Sequence, residues 1–131
     1  MDLEVEQAVE TADRLAHAES MSTRRPRPRR DGRWSESALR VLRERYLIKR
    51  DGKVVETPDE MCWRVACAIA AAENRWETQS AVEEYEAAFY DLLIDRKFMP
   101  NSPTLMNAGT GNGLQFSACF VLPVGDSIND I

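Results

Sequence analysis

The 131-residue chain carries 22 Asp and Glu against 17 Lys and Arg, a formal charge of −5 that argues against coating nucleic acid as its main task. No apolar run approaches a bilayer span and the N-terminus is acidic rather than signal-like, so no membrane partner is expected. Three cysteines without metal-type pairing and a single histidine indicate neither a metal site nor a disulfide scaffold, which leaves a reducing cytoplasm as the default location.

Residues 1–33 read as a flexible tail. Val5, Ala8, Val9, Ala12 and Leu15 recur at roughly helical spacing, but in an acidic background where such a helix is marginal alone. His17 there has no partner for catalysis or metal binding. Arg24, Arg25, Arg27, Arg29 and Arg30 then sit among Pro26 and Pro28, which exclude a helix and favour an extended linker. No aromatic residue interleaves to stack on bases, so a solvated tether is expected in preference to a phosphate-contacting arm.

Residues 34–98 read as a helical domain. Ala38, Leu39, Leu42, Tyr46 and Leu47 share one face of a helix opened by serines and stopping near Ile48. Asp51-Gly52 between Leu47-Ile48 and Val54-Val55 predicts a tight hairpin. Thr57-Pro58-Asp59-Glu60 has the spacing of a capping box with proline at the first helical position, starting a buried helix that runs to about Glu73. Ser80 and Glu83 repeat that spacing ahead of a third helix with the face Val82, Tyr85, Phe89, Leu92 and Leu93. Cys62 and Cys67, five apart, point to different faces and are expected to be core filler, with Trp63 and Trp76 as packing groups. A unit this small is expected to lean on another domain.

In residues 99–131, Pro100 and Pro103 are expected to end helical continuation and leave turn-rich, extended chain. The loop Gly109-Thr110-Gly111-Asn112-Gly113 follows, and Gln115 to Val121 reads as a short buried strand carrying Cys119. From the residues alone, Cys119 is a small core residue, Ser102, Thr104 and Asn107 bond local turn backbone, and Gly125-Asp126-Ser127-Ile128 is a simple turn. The chain stops at Asn129-Asp130-Ile131 straight after an apolar stretch and is expected to be a fragment.

Two motifs change that reading. Met99-Pro100-Asn101-Ser102-Pro103-Thr104-Leu105-Met106-Asn107-Ala108-Gly109 and Ser117-Ala118-Cys119-Phe120-Val121-Leu122-Pro123 resemble the start of the catalytic barrel of ribonucleotide reductases, most closely the adenosylcobalamin-dependent (class II) enzymes. The resemblance runs from about Trp34 to the last residue. It implies a mainly α N-terminal domain followed by the first strands of an α/β ten-stranded barrel, here truncated. It implies that Cys119 is one of two thiols reducing the ribose 2′-carbon, its partner and the radical cysteine lying beyond residue 131. Ser102 matches a position holding substrate phosphates, Ala118 one whose main chain touches substrate, and Asp126, Ser127 and Ile128 a segment contacting a deoxynucleotide effector; Thr104 and Asn107 are weaker candidates that local turn bonding explains equally well. Adenosylcobalamin, a ribonucleotide, a thioredoxin-like or other dithiol reductant, the remainder of the polypeptide and a second copy in a homodimer are the partners it implies. An iron-dependent large subunit and a non-catalytic helical interaction module are the competing readings, with Asn107-Ala108-Gly109 and Phe120-Val121-Leu122-Pro123 favouring the cobalamin class.

Overall fold

The computed structural model describes residues 30–123 and Gly125, so the tail before Arg30 and the segment Asp126-Ser127-Ile128 lie outside the described residues. Ser35, in extended conformation, opens helix α1 (Glu36–Val41), its hydroxyl accepting from the Ala38 N–H at 3.2 Å. The helix then widens into a π turn, Leu42–Tyr46, closed by the Leu47 N–H on the Leu42 carbonyl. The hairpin follows as expected: β1 (Lys49–Arg50) pairs antiparallel with β2 (Lys53–Val54), Lys49 opposite Val54. Asp51 and Gly52 between them have φ of 50° and 75°, the left-handed pair that a tight two-residue turn requires.

Helix α2 (Pro58–Ala70) starts on the expected capping box, with Glu60 N–H donating to Thr57 Oγ1 and Thr57 N–H to Glu60 Oε2, and ends in a 3₁₀ turn, Ala71–Arg75. Helix α3 (Gln79–Ile94) departs from expectation. Its N-cap is Thr78, whose hydroxyl accepts from Ala81 N–H, so the Ser80–Glu83 pair falls inside the helix and forms no box. Its buried face is Val82, Glu86, Tyr90, Leu93 and Ile94, while Tyr85 and Leu92 are partly open to solvent. The contact with α2 follows the row i, i+4, i+8 rather than the row through Tyr85, Phe89 and Leu92. Trp76, expected to pack, is 72% exposed.

Pro103 does not prevent a helix; it begins one. Asn101 takes the extended cap conformation and α4 (Ser102–Asn107) follows with the proline in its first turn, where a missing N–H costs nothing. The expectation of extended chain over this motif is therefore corrected.

The core lies between α2 and α3. Met61, Cys62, Val65 and Ala66 meet Tyr90, Leu93 and Ile94, and Leu42, Leu47, Leu105 and Ala108 close its ends. Trp63 meets the Tyr90 ring edge-on with centroids 5.6 Å apart. Arg30 to Arg33, placed in the linker by sequence, lie against this body. The Arg30 guanidinium bonds Asp91 at 2.7 Å and Asp95 at 2.6 Å, and its N–H donates to Asp59. Gly32 is buried so closely that a Cβ there would stand 2.4 Å from Trp34 Nε1. Among the described residues, no helix is long and apolar enough to cross a membrane.

One buried ion pair ties the parts together. Arg64 of α2 bonds Glu56 through Nε at 2.6 Å and Nη2 at 3.0 Å, with both side chains under a tenth exposed. Glu56 also accepts from the Ile48 N–H, while Arg64 donates to the carbonyls of Leu105 and Ala108 at the end of α4. Arg64→Met should therefore lose about 3–5 kcal/mol in urea denaturation, because it strands the Glu56 carboxylate without its partner. Adding Glu56→Gln should recover part of that loss.

Candidate functional site

Helix α4 organises the candidate site through a polar stripe. Asn101, Thr104 and Asn107 follow one another at intervals of three, which puts them along one side of a short helix. The chain leaves α4, turns through Gly109, Gly111 and Gly113 with φ near 70° at each, and returns beside that stripe. Asn107 Nδ2 donates to the Gln115 carbonyl at 2.8 Å, and the Thr104 hydroxyl to the Phe116 carbonyl at 2.9 Å. The Asn101 amide nitrogen donates to the same Phe116 carbonyl at 3.1 Å and to Thr104 Oγ1, and its oxygen accepts from the Ala118 N–H at 3.2 Å. A hydroxyl has one proton, so Thr104, which gives its own to Phe116, must accept from Asn101. Asn112 supports the turn from inside, donating to Asn107 Oδ1 and accepting from the Leu114 N–H.

The returning segment is not a strand. Residues 115–123 are irregular and exposed, with Phe120 66% and Val121 98% open, so the reading of Gln115–Val121 as a buried strand is overturned. The physical reason is the partner: among the described residues the ladder of a strand is replaced by the side chains of Asn101, the N-cap of α4, and of Thr104 and Asn107 within it. Sequence reasoning makes Thr104 and Asn107 weaker substrate-site candidates that local turn bonding explains equally well, and the structure gives their side chains to the returning segment instead. Their spacing with Asn101 was the signal that pointed to a shared face.

The sequence-predicted residues fall as follows. Ser102 and Cys119 each lie one residue beyond the bonded pair Asn101–Ala118 in sequence. Ser102 Oγ is 2.8 Å from the Tyr46 hydroxyl, at a cleft of about 520 Å³ lined by Trp34, Tyr46, Met99, Asn101, Ser102 and Leu105. Cys119 is exposed; its N–H donates to Ser117 Oγ and its carbonyl accepts from Gln115 Nε2. Tyr46, placed by sequence on the apolar face of the first helix, is half-buried, packs against the core and shares the cleft. A second cleft of about 340 Å³, between Val65, Ile69, Phe89, Leu92, Phe98 and Pro100, has Thr104 as its hydroxyl-bearing wall residue.

Residues 33–113 match the ribonucleotide reductase all-alpha domain. The chain belongs to the ribonucleotide reductase family. It is 45% identical over 98 residues to a Mycobacterium tuberculosis protein named vitamin B12-dependent ribonucleoside-diphosphate reductase, covering 74% of this chain and 14% of the relative. A protein of the same name from Thermoplasma acidophilum is 36% identical over 150 residues, covering 72% of this chain and 19% of the relative. The ribonucleoside-diphosphate reductase large subunit of Vaccinia virus is 39% identical over 103 residues, 78% of this chain and 12% of its own length. The chain thus spans less than a fifth of the length of these relatives. Within the reductase domain match lie Ser102 and the whole of α4, while Ala118 and Cys119 follow it.

The three thiols sit in different surroundings. Cys62 and Cys67 are buried and Cys119 is exposed. Burial pushes the Cys62 thiol up to about 12, with the carboxylates of Asp59 and Glu56 adding to the shift and Arg64 opposing it. Burial, with the hydrogen bond to Asp59, likewise raises the Tyr90 phenol. A thiol reagent at neutral pH should therefore label Cys119 in the folded chain and reach Cys62 and Cys67 only on unfolding, as peptide mass mapping would show. Both raised groups hold their protons in the fold after the unfolded chain has released them. Stability should therefore fall as pH climbs from about 9 toward 12, and Cys62→Ala should shallow that fall in denaturation curves.

Proposed function

We propose that this chain is the N-terminal part of a cobalamin-dependent ribonucleotide reductase, a cytoplasmic enzyme that makes deoxyribonucleotides for DNA synthesis and repair. The observation that carries the proposal is the α4 stripe, which holds the segment leading to Cys119 against the cap of the helix that begins at Ser102. An exposed thiol and a hydroxyl, each one residue past the bonded pair Asn101–Ala118, suit a nucleotide whose sugar meets sulfur and whose phosphate meets oxygen. The names of the bacterial and archaeal relatives support the cobalamin class. Beyond residue 113, the motif through Cys119 is proposed to enter the ten-stranded barrel, with the helical domain of residues 33–113 packed on it and the residues before Arg30 as a tail.

In the proposed reaction, Cys119 and a second thiol outside the described residues each give one hydrogen equivalent. The ribose 2′-hydroxyl leaves as water, the 2′-carbon gains hydrogen, and the two sulfurs end as a disulfide that a thioredoxin-like dithiol reduces again. Ser102 and the Ala118 backbone hold the substrate. Asp126, Ser127 and Ile128 contact a deoxynucleotide effector, with a second copy of the subunit completing that site. The described residues do not fit adenosylcobalamin: the smaller cleft is almost wholly apolar, and the Tyr46 and Ser102 hydroxyls of the larger bond each other. Its site is therefore assigned to other parts of the complete enzyme.

In the complete enzyme, Cys119→Ser should abolish turnover with a physiological dithiol while substrate binding survives, because a hydroxyl keeps the shape but forms no disulfide. Near-normal deoxynucleotide production would return Cys119 to a packing role. Ser102→Ala should raise the substrate KM by an amount corresponding to a loss on the order of 1.5–3 kcal/mol, typical of a hydrogen bond to a charged group. An unchanged KM with a lowered melting temperature would assign the hydroxyl to local structure alone.

A further inference from the structure

We infer that Tyr46 is a positioning residue for substrate binding: its hydroxyl donates to Ser102 Oγ and thereby aims the Ser102 proton at a phosphate oxygen. The inference rests on the proposed phosphate role of Ser102 and adds what sets its direction. The two oxygens are 2.8 Å apart, and the pair joins elements 56 positions apart in sequence. Such a bond is no by-product of local turn formation.

The donor sense follows from the ligand. A phosphate oxygen near neutral pH offers lone pairs, so Ser102 serves it only by donating. A serine hydroxyl has a single proton. If Ser102 gave that proton to Tyr46, it would turn a lone pair toward the anion and repel it. The bound state therefore requires Tyr46 to be the donor, a role that suits the more acidic phenol. A hydroxyl that accepts one bond while donating another is also polarised into a stronger donor.

The backbone supports this assignment. Tyr46 is the last residue of the π turn Leu42–Tyr46, after which the chain turns sharply to extended at Leu47. Leu42 and Leu47, at either end of that turn, are both buried, so the turn is pinned by the core while Tyr46 remains half-buried at the cleft. Widened turns of this kind are frequent at functional sites.

The test is a double-mutant cycle in the complete enzyme, with KM, kcat and melting temperature read for Tyr46→Phe, Ser102→Ala and the pair. Tyr46→Phe keeps the ring and removes the donor. The expected result is a KM raised about three- to tenfold with kcat and melting temperature little changed, the range set by one neutral hydrogen bond. In the Ser102→Ala background the same change should have no further effect, whereas Ser102→Thr, which keeps a hydroxyl, should retain sensitivity to Tyr46→Phe. If Ser102→Ala raises KM but Tyr46→Phe does not, or if the two effects simply multiply, the positioning role is overturned and the phosphate site stands. If Ser102→Ala itself leaves KM unchanged, the phosphate reading fails first and this inference with it.

Discussion

The Arg64–Glu56 pair is the constraint on which the rest of the structure depends. Removing two charges from water is expensive, and a buried pair often adds less stability than apolar residues of the same size would. Its worth here is in what it connects. Glu56 takes the Ile48 N–H after the π turn, and Arg64 takes the carbonyls of Leu105 and Ala108 at the end of α4. Two segments that are short and weak alone, a two-residue ribbon and a six-residue helix, are thus fixed to the same point on α2. The guanidinium also places positive charge beside the carbonyl end of α4, where a helix of this length leaves its acceptors unmatched.

With one end of α4 fixed by Arg64, its opposite end and its polar stripe acquire a defined position. Asn101 and Ser102 stand at the start of the helix, where Tyr46 of the π turn meets Ser102. The core thus reaches the candidate site by two routes. One runs from Arg64 through α4; the other runs from Leu42 and Leu47 through the π turn to Tyr46. Both meet at the Ser102 hydroxyl, which makes it the most firmly placed of the candidate site residues. The glycine loop is what lets one helix serve two purposes, since three positive-φ positions return the chain antiparallel to α4 without a further element.

What was legible in the sequence was local chemistry with a fixed offset. Thr57 and Glu60, Asp51 and Gly52, and Ser35 before Glu36 satisfy their own backbone within three residues, so their geometry needs no tertiary information. Misreadings arose where a tertiary partner decided. The two apolar rows of α3 are nearly equal in sequence, and packing on α2 selects the one through Tyr90 and Ile94. Pro103 carries opposite meanings inside a helix and in its first turn, and Asn101 resolves which applies. The site motif was legible as a resemblance, while its organising feature, side chains of α4 holding a returning segment, depends on residues up to 17 apart meeting in space.

That segment explains why the two candidate site residues differ in how well this part of the chain alone defines them. The bonds from α4 end at Ala118, and Cys119 is held by Ser117 and Gln115, its own near neighbours, through the backbone. Beyond it, Phe120, Val121 and Leu122 present large apolar side chains to solvent. Covering a row of that kind is worth roughly 25 cal/mol per Å² of apolar surface removed from water, and a strand ladder would also satisfy its backbone. The same sequence that reads as a buried strand thus stays irregular on the helical domain alone. The reductive role proposed for Cys119 would need its sulfur held against a sugar carbon, and the bonds from α4 and its cap reach the backbone one residue before it. The placement of the thiol is then left to whatever surface covers Phe120 to Leu122, so the roles proposed for Ser102 and Cys119 depend on different contacts of the same motif.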